Sequence, residues 1–276
     1  MREGRAADDG FRSELVPGIR SSEDAARLAG ELAFSAGRLL ALAADPPGPY
    51  RDARDLAARD LEGAAWMCFL IVYLSPLEDE DPFAGISEAL AGGEVPDLDG
   101  VALGPRTSHE PSRGGETLIA YRQWVQRSGG PVPALEGAPA SLPAFSGEPS
   151  WTPERRFERV LERLALPGFG RSGRYDLLLT LGRLGVFDLR AGSLHLAGAG
   201  ASEDATLLAA KRVFGIGDPL LLERRAAALA DAAAVPIEAL DLALWNWAAP
   251  ERATLGMAPG SDDETVRERA VAALGL

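Results

Sequence analysis

The chain has 276 residues with 41 acidic against 28 basic side chains, a formal net charge of −13 that argues against a protein coating nucleic acid nonspecifically. A single cysteine, Cys68 in an apolar run, excludes a disulfide framework and points to a reducing, cytoplasmic compartment. The charged stretch from Met1 to Asp9 is no signal peptide, and the longest apolar run, Ala64 to Leu74, is too short to span a bilayer, so no membrane association is expected.

In chain order, residues 1–20 are polar and irregular and read as a flexible lead-in to one helical domain over 21–276. Ser21-Ser22-Glu23-Asp24 opens a helix carrying Leu28, Leu32, Leu39 and Leu42 at helical spacing, ended by Asp45-Pro46-Pro47. A second helix is expected from Tyr50 through Leu74. Its later half, Trp66 to Leu74, is apolar on every side and must be buried. Ser75-Pro76-Leu77 closes it. Residues 82–150 are rich in Gly and Pro and read as an insertion interrupted by one helix, Glu116 to Gln126. His109 sits there among Ser108, Glu110 and Arg113; with His195 far away in sequence, no metal-ligand spacing exists and no metal is expected.

A helix from Thr152 to Leu164 interleaves Arg and Glu at a spacing of four, a solvated face. Leu166-Pro167-Gly168-Phe169-Gly170-Arg171 then makes a turn into a further helix, and Phe187 to Leu196 reads as a short extended segment. The stretch that organises the chain is 196–225. Gly198 and Gly200 bracket one small residue, the mark of a tight hairpin. Ser202, Glu203 and Asp204 cap a helix from Ala205 to Phe214, and Gly215 and Gly217 stop it. Asp218 then caps the next helix, with Pro219 at its first position. Helices from Ile237 to Trp247 and from Asp262 to Leu274 complete an all-α chain. From Trp151 to Arg225 there are 11 arginines and Lys211 against nine acids, a net of +3, leaving −16 for the remainder. This stretch is the basic part of an acidic protein.

The order of these parts resembles the helix-hairpin-helix DNA glycosylases, whose pattern is Leu-Pro-Gly-x-Gly, a helix, Phe-Gly, and an Asp opening a further helix. Leu196-Ala197-Gly198-Ala199-Gly200, Phe214-Gly215 and Asp218 follow that order, with Asp218 20 residues beyond Gly198 and Ala197 in place of the family's Pro. The resemblance implies a helical bundle with a central cleft and Asp218 as the catalytic carboxylate, stabilising positive charge on a sugar as its C1′–N bond breaks. It implies DNA contacts from Gly198, Ala199 and Gly200 on a backbone phosphate, supported by Lys211 and Arg212. Leu74-Ser75-Pro76-Leu77 is similar to the family's Leu-Ser-Ala-Gln in Leu and Ser alone; Leu77 would act as an apolar wedge. Tyr73, Ser75 and Trp245 are the candidates for a base pocket. Ala201-Ser202-Glu203 follows the hairpin where strand-cutting members carry a Lys, so a monofunctional enzyme is implied.

A closer resemblance covers residues 60–250. The run from Leu74 to Phe83 and Lys211-Arg212-Val213-Phe214-Gly215-Ile216-Gly217-Asp218-Pro219 are similar to the alpha-glutamyl/putrescinyl thymine pyrophosphorylase family. That name implies exchange of a pyrophosphate on 5-hydroxymethyluracil for an amine, within DNA. Two reactions are therefore open. The first expectation is a cofactor-free, monomeric DNA glycosylase excising a bulky, phage-type modified pyrimidine, in anti-phage defence. The alternatives are the pyrophosphorylase-type transfer and a non-catalytic DNA-binding module.

Overall fold

The computed structural model describes residues 6–93, 95–128, 141–198 and 204–276. The described residues are all helical in their regular structure, with no strand; an isolated bridge between Leu166 and Phe169 is the nearest approach to one. Phe187 to Leu196 is not extended into a sheet. The helices are α1 (Ser22–Ala44), α2 (Gly48–Leu56), α3 (Leu61–Leu74), α4 (Ala84–Ala91), α5 (Glu116–Ser128), α6 (Ser141–Ser146), α7 (Pro153–Arg163), α8 (Arg171–Arg183), α9 (Ala205–Phe214), α10 (Pro219–Ala233), α11 (Ala239–Ala248) and α12 (Glu264–Leu274). No helix among the described residues is long and apolar enough to cross a membrane.

One expected helix is two. The stretch from Tyr50 to Leu74 breaks at Asp60, whose carboxylate accepts from the Gly63 N–H at 2.9 Å and starts α3 anew. The 82–150 segment also holds more helix than expected, since α4 and α6 join α5 there. The chain divides into two compact units. The first takes Met1–Ala41, Gly192–Arg252 and Ala258–Leu276; the second takes Leu42–Ala191 and Ala253–Met257.

In the first unit α1, α9, α10, α11 and α12 enclose a core of Leu28, Leu32, Leu207, Leu229, Leu244 and their neighbours. Polar contacts tie distant parts of the chain: Trp247 Nε1 donates to Asp24 O at 2.9 Å and Asn246 Nδ2 to Glu31 Oε2 at 3.0 Å. Residues within the expected flexible lead-in are anchored instead. Val16 and Ile19 are buried, and the Gly18 N–H donates to Val213 O at 2.9 Å. The Asp9 carboxylate also accepts from Ser22 N at 2.9 Å, so side chains and backbone together hold a segment that lacks helical or strand periodicity.

The second unit is built on α3, which is buried along one continuous run from Cys68 to Leu74, as its all-round apolar sequence requires. Its aromatic side chains stack: Phe69 lies 4.0 Å from Tyr121 and 5.4 Å from Tyr73 between ring centroids, with Phe169 packed edge-on to Phe69. Cys68 is fully buried in this core, which pushes its thiol pKa up to about 12.

Candidate functional site

In the first unit, the arrangement around Asp218 follows the sequence residue by residue. Asp204 caps α9 by accepting from Leu207 N at 2.8 Å, and α9 stops at Gly215, whose φ of +82° a side chain would resist. Arg225, in the second turn of α10, donates to the Phe214 carbonyl left open at that terminus. Asp218 accepts from Leu221 N at 3.0 Å, with Pro219 in the first turn of α10. The Asp218 carboxylate is exposed, and so are Ile216 at 95% and Leu220 at 72% beside it.

The segment leading up to residues 199–203 is held from the same helix. Glu223 of α10 accepts from Leu194 N at 2.9 Å and from Leu196 N at 2.6 Å, one carboxylate oxygen to each. Leu196–Gly198 then forms one turn of 3-10 helix. Ala199 and Gly200, expected to hold a phosphate, lie outside the described residues, as do Ala201 to Glu203. Arg212 is exposed and Lys211 half-buried in the last turn of α9. Trp245 is half-buried on α11, whereas Trp247 is a core residue.

In the second unit, the end of α3 carries Tyr73, Ser75 and Leu77. The Tyr73 carbonyl, which has no partner within the helix, receives Ser108 N at 2.9 Å, His109 N at 3.2 Å and Thr107 Oγ1 at 3.0 Å. Gly104 N donates to Leu74 O and Ser75 O, both at 3.1 Å. A Cβ on Gly104 would come within 1.9 Å of the Pro76 oxygen, so only glycine permits this approach. The loop 104–109 is thereby laced to the C-terminus of α3.

Ser75 itself is strained. Its φ of 61° and ψ of 136° are unusual for a residue with a side chain, and its buried Oγ has no hydrogen-bond partner. Leu77 is half-buried, its N–H bound to Pro82 O at 2.8 Å. The Tyr73 phenol is buried and meets His109 Nδ1 at 3.0 Å. Burial raises the Tyr73 pKa and lowers that of His109, which keeps the phenol protonated and the imidazole neutral near pH 7.

The structure thus gathers Tyr73, Ser75 and Leu77 at one helix end, and Asp218, Lys211, Arg212 and the Leu196–Gly198 turn around α9 and α10. His109 was passed over in the sequence because no ligand spacing surrounds it. Its partner is 36 residues away, and only the folded loop joins them. Among the described residues no group of three or more His, Cys, Asp or Glu is placed to hold a metal.

An all-helical fold with one capping Asp ahead of α9 and another ahead of α10 does not by itself define a class of protein. The comparison with known families narrows it: the chain belongs to the alpha-glutamyl/putrescinyl thymine pyrophosphorylase family, clade 3, which it matches over residues 107–255. No curated protein and no solved structure matches the chain. The family corrects the first expectation drawn from the sequence. The family is one of thymine pyrophosphorylases, transferases rather than hydrolases, so hydrolysis of an N-glycosyl bond is not the activity this membership points to. The shared order of hairpin, Phe-Gly and Asp carried that expectation, and a scaffold order is silent on which bond is broken.

Proposed function

We propose that this protein substitutes a pyrophosphate ester on the 5-methylene of a modified thymine in DNA by a primary amine. The match to the thymine pyrophosphorylase family over 107–255 is the observation that carries the reading. In this reaction the bond from the methylene carbon to oxygen breaks, pyrophosphate leaves with the electron pair, and a carbon–nitrogen bond forms. No cationic sugar develops. The role assigned to Asp218 in the glycosylase expectation therefore has no counterpart, and we read Asp218 as the cap that starts α10.

DNA is the partner, in this reading, and the first unit is its backbone anchor. Three features support it: the net basic stretch from 151 to 225, the cations Lys211 and Arg212 at the end of α9, and the hairpin entrance tied to α10 through Glu223. Backbone contacts of this kind position a duplex without reading its sequence. The likeness in order to helix-hairpin-helix proteins belongs to the same proposal. Tyr73 and Ser75 remain our candidates for holding the base.

The test is direct. Duplex DNA carrying the pyrophosphate ester of 5-hydroxymethyluracil is incubated with the protein and either glutamate or putrescine, and nucleosides and free pyrophosphate are quantified by mass spectrometry. Equal amounts of aminated thymine and pyrophosphate are expected, with no free base. Release of free base with the substituent intact would refute the reading.

A further inference from the structure

Connections between helices are ordinarily polar, and the one between α9 and α10 in the first unit is not. Ile216 stands there 95% exposed between Gly215 and Gly217, with Leu220 72% exposed in the first turn of α10 and Leu208 exposed on α9. Exposed apolar side chains scattered singly need no explanation, whereas three of them along one short stretch mark a contact surface.

The tip is fastened at both ends. Behind it, Gly215 takes a φ of +82° and Arg225 donates to the Phe214 carbonyl; ahead of it, Asp218 accepts from Leu221 N at 3.0 Å. Isoleucine is stiff at χ1, so Ile216 has little side-chain freedom to lose on entering a packed site.

The charges around the tip say what it faces. Lys211 and Arg212 end α9, Arg224 is exposed on α10, and none of the three is ion-paired among the described residues. The acids of the same stretch, Asp218 and Glu223, both accept from backbone N–H groups. From Lys211 to Arg225 there are four basic side chains against two acidic ones, in a protein of net charge −13. An apolar point flanked by unpaired cations is complementary to a polyanion with a stacked, apolar interior, which is duplex DNA. Leu77, the apolar candidate of the second unit, is half-buried with its N–H held by Pro82 O at 2.8 Å, and has less side chain to offer.

Resting on the reading of DNA as the partner, we propose that Ile216 enters the stack of the bound duplex as an apolar wedge and separates one base step at the modified thymine, while Lys211, Arg212 and Arg224 hold the flanking phosphates. The wedge acts on stacking alone and takes no part in the transfer of the amine.

The experiment places 2-aminopurine in turn on either side of the modified thymine, where its fluorescence reports loss of stacking, and follows affinity by anisotropy over a salt series. Wild type should raise the fluorescence several-fold at saturation. Ile216→Ser should abolish the rise, bind within about threefold of wild type and melt at the same temperature, because the side chain is almost wholly exposed in the free protein. Arg212→Gln should keep the rise at saturation, weaken binding to every duplex alike and lower the salt slope by about one. Leu77→Ala should match wild type. A wild type that binds without a rise, or an Ile216→Ser variant that keeps it, overturns the wedge and leaves DNA as the partner. A wild type that binds no duplex, modified or plain, retires that reading and the wedge with it. Wild type and Ile216→Ser are also sedimented with vesicles of phosphatidylglycerol and phosphatidylcholine, and alone. Ile216-dependent retention on the vesicles with no change in 2-aminopurine assigns the tip to a lipid surface and overturns the proposal; Ile216-dependent self-association with no such change assigns it to a second copy and overturns it equally.

Discussion

His109 Nδ1 lies 3.0 Å from the Tyr73 phenol oxygen, across 36 residues of chain, and the helix that carries Tyr73 also holds the His109 backbone. Burial lowers the His109 pKa from its ordinary 6.5. The unfolded chain therefore binds a proton at a pH where the folded chain does not. Stability from this group is complete above about pH 6.5 and is lost as the pH falls toward the folded value. Denaturant midpoints measured from pH 7.5 to 5 should decline for wild type and decline less for His109→Asn. Parallel declines would show that His109 is not the titrating group.

Ser75 combines a positive φ with a buried hydroxyl that has no partner. Glycine removes both costs and adds only its own backbone entropy. Ser75→Gly should raise stability by about 1 kcal/mol, read as a higher melting temperature. A lower melting temperature would mean that the hydroxyl makes a contact worth more than the strain. If Ser75 touches the modified base, the same variant will be more stable and slower.

Glu223 uses both carboxylate oxygens on the N–H groups of Leu194 and Leu196. In Glu223→Gln one oxygen becomes an NH₂ that cannot accept, so one amide loses its partner. The cost should be roughly 1–3 kcal/mol, and the hairpin entrance should slacken. Affinity for modified and unmodified duplexes should then weaken alike, because backbone contacts carry no sequence information. A loss confined to modified DNA would move Glu223 to the base.

Asp218 separates cap from catalyst. Asn accepts from a backbone N–H as well as Asp does, so Asp218→Asn should keep stability and transfer rate near wild type. Asp218→Ala should lose about 1 kcal/mol of stability. A folded Asn variant that transfers no amine would return the carboxylate to the chemistry.

Gly104 approaches Pro76 so closely that an added Cβ would meet its oxygen at 1.9 Å. Gly104→Ala should part the 104–109 loop from α3 and cost several times the typical 1 kcal/mol of a point substitution. Tyr121→Phe at the neighbouring core should be neutral or stabilising, since that phenol is buried without a partner. Thermal melts of the two variants side by side check both expectations.

Local chemistry by itself determined much of this protein. Asp204, Gly215, Asp218 and Pro219 act through neighbours within four residues, so α9 and the start of α10 were readable without a structure. The apolar run of α3 announced its burial for the same reason. The break at Asp60 was missed because a cap within a long periodic stretch is outweighed by the pattern around it. What only the tertiary structure decided depends on contacts that no spacing encodes. Glu223 reaches back to Leu194 and Leu196, Gly104 meets Pro76, and the 107–109 loop settles on the Tyr73 carbonyl. A helix's last carbonyls need partners, but the chain that supplies them can come from anywhere in the sequence. That is why the contact of His109 with Tyr73 emerged only once the loop had been placed on α3.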